Sequence, residues 1–264
     1  MSVILKGVVK LYYYLNEDIA DHRTNDWYLI SSPWPGLAIL LLYITSVKRW
    51  LPAYMQNRPA YDLRNIMAVY NAAQIVGCVY IVYKSLTLGW LSHYTLVCQG
   101  TDQGPYTTEY AWNVCYGYFI MKLVDLLDTI FFVLRKKHNQ ITFLHVYHHA
   151  GMVAVAWCMM KWVPGGHGTM LITLNCVVHT IMYGYYLLTT WNDEYKQSVW
   201  WKKYVTQIQI LQFSLLLMHF IALAVSSECA YPKPVAYILL PQNLFMLFLF
   251  CDFYYRSYIK PKKQ

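Results

Sequence analysis

Long apolar runs broken by short charged stretches set the pattern of this chain. A helix that crosses a bilayer needs about 20 largely apolar residues. Residues 27–47 carry no charge between Asp26 and Lys48, and residues 65–83 none between Arg64 and Lys84. The run 110–134 is long and apolar but contains Lys122, Asp125 and Asp128, and the run 141–160 contains three His. Residues 168–191 carry His179, and the runs 204–227 and 234–256 complete the series. The pattern predicts an all-α integral membrane protein of seven transmembrane helices in one domain over 1–264. The apolar stretch 85–97 is too short to span, and is expected to extend the second helix or to lie in the interface.

Composition agrees. Apolar residues make up 58% of the chain and charged residues 13%, about half of the ~25% usual in soluble domains. That balance excludes a soluble enzyme, a disordered linker and a small disulfide scaffold. The net charge is +8, but the basic residues sit at the ends of apolar runs, as in membrane helices, and not on a nucleic-acid-binding face. Loops 1–2, 3–4 and 5–6 and the C-terminal end hold Lys48, Arg49, Arg58, Arg64, Arg135, Lys136, Lys137, Lys196, Lys202, Lys203, Arg256, Lys260, Lys262 and Lys263. The opposite side holds only Lys6, Lys10, Arg23, Lys84, Lys161 and Lys233. The excess places the first set in the cytosol, the N-terminus in the lumen and the C-terminus in the cytosol. The first residues carry Glu17, Asp18 and Asp21 and read as no removable signal peptide. No CxxC spacing supports a zinc or redox motif. Cys98 and Cys229 fall on the lumenal side of this topology, where disulfides form, and are expected to pair, tying loop 2–3 to loop 6–7.

Charges inside a membrane helix cost about 2.5–3.5 kcal/mol each on insertion scales and usually mark function. Lys122, Asp125 and Asp128 recur at three-residue spacing, with Thr129 beside them. That spacing suits an internal ion pair, a polar cavity wall, or both. His145, His148 and His149 fall within about 100° of one helix face. Asn175, His179, Met182, Tyr183 and Tyr186 form a second polar and aromatic stripe of similar width. Thr206, Gln209 and Gln212 form a third, for which interhelical hydrogen bonding is the simpler reading. With the Lys122, Asp125 and Asp128 set these make four stripes, which suggest a shared interior site rich in His, Lys, carboxylate, Tyr, Asn and Gln. Such a set suits acid–base chemistry on a carbonyl.

The order of these motifs resembles the very-long-chain fatty-acid elongase family of the endoplasmic reticulum. Lys122-x-x-Asp125-x-x-Asp128-Thr129 is similar to KxxExxDT, and His145-x-x-His148-His149 matches HxxHH. Asn175 through Tyr186 matches NxxxHxxMYxYY, Thr206-x-x-Gln209-x-x-Gln212 matches TxxQxxQ, and Leu249-Phe250-x-x-Phe253-Tyr254-x-x-x-Tyr258 is a further match. Asp125 stands where the family usually has Glu. The resemblance implies seven membrane helices, six of them enclosing a tunnel for an acyl chain. It implies condensation of a long-chain acyl-CoA with malonyl-CoA to a 3-oxoacyl-CoA, CO2 and CoA, with no metal and no cofactor beyond these substrates. The reductases and the dehydratase of the elongation cycle are the implied partners, and a homodimer is compatible with exposed apolar helices.

Within that expectation His148 is the preferred nucleophile, giving an acyl-imidazole. His145, His149 and His179 would orient it, move protons and stabilise an oxyanion. Lys122 and Asn175 would meet developing negative charge, and Asp125 and Asp128 would fix Lys122 or an imidazole tautomer. Thr129, Met182, Tyr183, Tyr186, Thr206, Gln209 and Gln212 would contact substrate, and the basic loop with Arg135 and Lys136 would meet the phosphates of CoA. Cys176 and Cys158 are the competing nucleophiles. Lys260 and Lys262 resemble a KxKxx retrieval signal for the endoplasmic reticulum. A di-iron desaturase would need several His boxes where this chain has one, and a seven-helix transporter or receptor would leave the converging acid–base residues without a purpose.

Overall fold

The computed structural model describes residues 3–101, 104–192, 194–195 and 198–260. Lys196 and Lys262, invoked above for orientation and retrieval, lie outside the described residues, as does Lys263. Among the described residues the regular structure is helical, with no strand. The principal helices are α1 (Val3–Tyr13), α2 (Pro33–Met55), α3 (Arg64–Trp90), α4 (Gly117–Leu134), α5 (Phe143–Trp162), α6 (Thr169–Trp191), α7 (Val199–Val225) and α8 (Lys233–Ile259). Helical chain at Pro105–Tyr110 and a wide turn over Ala111–Tyr116 lead into α4.

The helices follow the apolar runs, with shifted ends. The run expected at 27–47 starts instead at Pro33, where the Ser32 hydroxyl accepts from the Trp34 N–H at 3.4 Å and proline suits the first turn. It continues to Met55 because Lys48 and Arg49 are exposed and long basic side chains can carry their charge away from an apolar helix. Pro52 has no N–H to give, and the ladder widens just before it, with the Leu51 N–H reaching the Ser46 carbonyl. α3 likewise passes Lys84 and takes in the first part of the 85–97 run. α1 was not foreseen: its apolar residues are exposed and it buries none.

Among the described residues five helices, α2, α3, α6, α7 and α8, are long and apolar enough to cross a membrane. α4 carries three charged side chains and α5 three imidazoles, which lower their apolarity. Large apolar side chains cover much of the outer surface, Val69 at 72% exposure and Ile238 at 68% among them. Such helices need lipid around them, and the chain is an all-helical integral membrane protein.

The chain divides into two compact units. The first joins Met1–Asp62 to Gly104–Gly165. Its N-terminal segment is bonded to the end of α5. The Asp21 N–H donates to the Lys161 carbonyl at 2.8 Å and the Thr24 hydroxyl to the Met160 carbonyl at 3.0 Å. In return, the Trp157 and Trp162 indoles donate to the Leu29 and Leu15 carbonyls, each at 2.8 Å, and Lys161 Nζ donates to Asn25 Oδ1 at 3.0 Å. Helix ends leave carbonyls without intrahelical partners, and this segment supplies them. At the far end the Tyr61 N–H caps the Leu134 carbonyl of α4 at 3.0 Å.

The second unit joins Leu63–Gln103 to Gly166–Gln264. Here α6 packs against α3, and α7 against α6 and α8. Polar residues pin the contacts: Ser85 meets Thr173 at 2.6 Å, and Asn243 donates to the Phe213 carbonyl at 2.8 Å. Cys98 and Cys229 form a disulfide with their Cα atoms 5.5 Å apart, joining the loop after α3 to the loop between α7 and α8. Beside it Gly166 has φ +66°, and a β-carbon there would stand 2.5 Å from the Gly100 oxygen, so only glycine fits. His167 and His219 stack at 3.6 Å, each ring bonded to the other's carbonyl at 3.1 and 3.0 Å. Burial pushes His167 below the usual imidazole range.

The disulfide gives a direct test. Mass-tagging of denatured protein is expected to add five maleimides before reduction, on Cys78, Cys115, Cys158, Cys176 and Cys251, and two more after it. Cys229→Ser should lower stability by about 2–4 kcal/mol, since the bridge closes a long loop, read as an earlier unfolding midpoint in detergent. Equal tagging before and after reduction would refute the pairing.

Candidate active site

Two polar clusters occupy the two units. In the first, α4 and α5 contribute neighbouring faces. Lys122 and Asp125 are buried, their side chains 4% and 3% exposed, with Lys122 Nζ 2.7 Å from Asp125 Oδ2. The three-residue spacing foreseen from sequence brings the charges together along one helix. Lys122 Nζ also lies 4.9 Å from the centre of the Tyr118 ring, so an aromatic face adds to its stabilisation. A charge in this setting is tolerable only when paired.

The Thr142 hydroxyl accepts from the His145 N–H at 3.2 Å and starts α5, which sets the register of the imidazole stripe. The rings of His145 and His149 are 4.2 Å apart between centres, and those of His148 and His149 are 5.6 Å apart. His149 is buried and His145 and His148 are half-buried. Thr129 is fully buried between His145 Nε2 at 2.9 Å and the Tyr43 hydroxyl at 2.7 Å. Asp128 is half-buried, one residue before it. The first unit therefore gathers Lys122, Asp125, Thr129 and the three His of HxxHH.

Tyr43 escaped the reading of the sequence. Its signal was present: a tyrosine inside the apolar run Leu40-Leu41-Leu42-Tyr43-Ile44 needs a partner for its hydroxyl when buried.

Arg135 and Lys136 close α4. The Lys136 N–H bonds the Val133 carbonyl at 3.0 Å and the Lys137 N–H the Phe132 carbonyl at 2.8 Å. This is a Schellman ending, which wants a left-handed residue, and Lys136 adopts it at φ 53°. Its ammonium reaches the Gln56 carbonyl at 3.5 Å. The same end carries Arg58, stacked over Tyr54 at 4.0 Å, and Tyr61, bonded to the Tyr54 hydroxyl at 3.1 Å. The Tyr54 hydrogen bond, with Arg58 assisting, holds the Tyr61 phenol below its usual range.

In the second unit α6 buries Asn175, His179, Met182 and Tyr183, with Tyr186 partly buried. The Tyr183 ring stands edge-on to His179 at 5.6 Å and to Tyr70 at 5.8 Å, with the two phenol oxygens 3.4 Å apart. Gln74 donates to the Tyr70 hydroxyl at 3.0 Å. Tyr70 and Gln74 of α3 were not foreseen, because α3 reads simply as an uncharged apolar run. On α7, Gln209 lies 3.8 Å from the Met182 sulfur, while the Thr206 hydroxyl bonds back to the Lys202 carbonyl at 3.0 Å. Gln212 is buried. Cys176 is buried and Cys158 half-buried. The further motif on α8 packs Phe250 against Phe213 at 5.0 Å and sets the Tyr254 hydroxyl 2.9 Å from Gln207. Lys260 is exposed beyond α8.

Fold and site together define a class, an all-helical membrane protein with acid–base residues held inside its helices. Comparison with known proteins gives the family. The model of the GNS1/SUR4 (ELO) family matches residues 28–264. Very long chain fatty acid elongase 7 of Drosophila melanogaster is 39% identical over 248 residues, covering 93% of this chain and 75% of that protein. Very long chain fatty acid elongase 4 of Homo sapiens is 37% identical over 266 residues, covering 100% and 83%. Very long chain fatty acid elongase 2 of Mus musculus is 39% identical over 241 residues, covering 91% and 81%. The chain belongs to the GNS1/SUR4 family.

Two stability effects follow from this geometry. Asp125→Asn removes the carboxylate charge 2.7 Å from Lys122, and breaking a buried pair costs about 3–5 kcal/mol. The double change Lys122→Met with Asp125→Asn should recover part of the fall in unfolding midpoint; equal midpoints for wild type and Asp125→Asn would show that the pair is not stabilising. Lys136→Gly should raise the midpoint by relieving about 1 kcal/mol of left-handed strain, and a lower midpoint would contradict that account.

Proposed function

We propose that this chain condenses a long-chain acyl-CoA with malonyl-CoA, releasing CO2 and CoA and leaving a 3-oxoacyl-CoA two carbons longer. The observation that carries the reading is the packing of HxxHH beside the buried Lys122–Asp125 pair in a member of this family. A neutral imidazole nitrogen of His148 attacks the thioester carbon. The C–S bond breaks, the thiolate leaves with a proton passed on by a neighbouring imidazole, and an acyl-imidazole remains. Loss of CO2 from malonyl-CoA leaves an enolate carbon, which attacks the acyl carbon. The C–N bond breaks, the departing imidazole nitrogen takes a proton from a neighbouring imidazole that water resupplies, and neutral His148 is restored.

Lys122 supplies positive charge for the oxyanion and enolate, and Asp125 keeps it in place. Thr129, Asn175, His179, Met182, Tyr183, Tyr186, Thr206, Gln209 and Gln212 are assigned to substrate and proton handling by their motifs. Arg58, Arg135 and Lys136 form a basic, tyrosine-bearing surface suited to the phosphates and adenine of CoA. In this reading the whole chain is one domain of seven spans, α4 and α5 included, six of them around an acyl tunnel. It resides in the endoplasmic reticulum with its N-terminus lumenal and its C-terminus cytosolic. It works with the reductases and dehydratase that complete a two-carbon cycle, and as a homodimer where its apolar faces meet.

The test uses microsomes from cells expressing the chain, radiolabelled malonyl-CoA and acyl-CoA primers of varied length. Label should enter a 3-oxoacyl product, and His148→Ala should reduce it by at least about a hundredfold. Protein incubated with acyl-CoA alone should yield a peptide acylated at His148. Product retained in His148→Ala would remove that residue from the role, and no product with any primer would sink the condensing reading.

A further inference from the structure

The Tyr43 side chain is 5% exposed and Thr129 is 0% exposed. The Tyr43 hydroxyl lies 2.7 Å from Thr129 Oγ1, which lies 2.9 Å from His145 Nε2. Among the described residues, neither hydroxyl has another hydrogen-bond partner. Three proton arrangements satisfy these distances in principle, and the one in which Thr129 accepts from both neighbours leaves its own proton without an acceptor among the described residues. If His145 Nε2–H donated to Thr129, the Thr129 proton would go to the Tyr43 oxygen, and the phenol proton would be left in an apolar helix without an acceptor. If Tyr43 donates to Thr129, the single Thr129 proton goes to His145 Nε2 and both hydroxyl protons have an acceptor. Buried donors without acceptors are disfavoured far more than a bond exchanged for another is favoured. The last arrangement leaves Nε2 as acceptor and the ring proton on Nδ1.

We propose that Tyr43 is a positioning residue that, through Thr129, fixes His145 as the Nδ1–H tautomer and holds its ring against His149. This rests on the reading of the His145–His149 stripe as the reaction centre. The nitrogen that carries the proton is set by the bond its partner nitrogen makes. Here that bond comes from a neutral hydroxyl chain rooted in another helix, where a carboxylate would make His145 a stronger base. The device suits an imidazole that must donate a hydrogen bond to an oxygen without itself becoming charged. It also ties α2, α4 and α5 together at the height of the imidazoles, and so couples ring orientation to helix packing.

The experiment compares wild type, Tyr43→Phe, Thr129→Val, Thr129→Ser, the Tyr43→Phe with Thr129→Val double change, and His145→Ala. Each is reconstituted at matched unfolding midpoint, with steady-state condensation as one readout and the imidazole nitrogen resonances of ¹⁵N-histidine-labelled protein as the other. His145→Ala assigns the His145 signals by difference. In wild type, the His145 pair should show a protonated Nδ1 and a bare, hydrogen-bonded Nε2. Tyr43→Phe should lower kcat about tenfold with KM for acyl-CoA unchanged, as loss of one aligning hydrogen bond would. Thr129→Val should fall at least as far, the double change no further, because the two residues form one chain. Thr129→Ser should recover most of what Thr129→Val loses, since it keeps the hydroxyl. An Nε2–H tautomer in wild type overturns the proposal even if a variant misfolds. So does wild-type kcat in Tyr43→Phe while His145→Ala is inactive. An active His145→Ala would instead remove the imidazole stripe from the chemistry, and the reading beneath the proposal with it.

Discussion

A lysine ammonium buried at 2.7 Å from the Asp125 carboxylate governs the first unit. Neither Lys122 nor Asp125 could sit alone inside a helix of this setting, because an unpaired charge taken out of water is penalised heavily. Together they form a pair whose net charge is zero and whose field is strong, since little solvent screens it. The pair fixes which face of α4 turns inward. Once that face is fixed, Thr129, one turn further on, falls in the interior too, and with it the hydroxyl that meets α5. The imidazoles are thus presented to a charged pair by helix geometry alone, without a loop to position them.

The second support is at the opposite end of α5. Its last carbonyls cannot bond within the helix, and here Asp21 and Thr24 meet them from outside. Trp157 and Trp162 answer by donating to the Leu29 and Leu15 carbonyls of the N-terminal segment. α5 is therefore held at both ends, by the Thr142 cap and by the N-terminal segment. A helix anchored in this way cannot rotate to release its imidazoles into lipid. The site is built on rigid elements, which is what placing reacting groups to within a fraction of an ångström requires.

How much of this was readable follows from what each residue does. The helices were legible because the membrane imposes a length on apolar runs, and five of them are long and apolar enough to cross it among the described residues. Charge did not mark where the helices end: Lys48 and Lys84 bound the apolar runs but not α2 and α3, because a long basic side chain can carry its charge away from an apolar helix. The inward stripes were legible because a polar residue in such a run needs a reason. The partners Tyr43, Tyr70 and Gln74 were not, because each is a single polar side chain whose counterpart lies far along the sequence. Only the fold shows that Tyr43 meets Thr129 or that Tyr70 meets Tyr183. The capping segment was hidden for a different reason: its bonds run mostly through backbone atoms, to which side-chain patterns are blind.

Asp125 shows how a shorter carboxylate can still reach the lysine one turn back. A glutamate there would carry its carboxylate one methylene further from the backbone. With aspartate, the flexible partner must make up the distance, and the four-carbon stem of Lys122 does so, reaching Oδ2 from one turn back. The ammonium is drawn closer to the α4 axis than a longer carboxylate would hold it, yet it stays over the Tyr118 ring. The shorter side chain also has fewer rotamers to lose on burial, so the pair is ordered at a smaller entropic cost. The constraint at this position is therefore a carboxylate paired with the lysine one helical turn away, and reach is shared between the two side chains. Any function that needs a positive charge at the centre of this helix can be served by either arrangement, provided the charge remains paired.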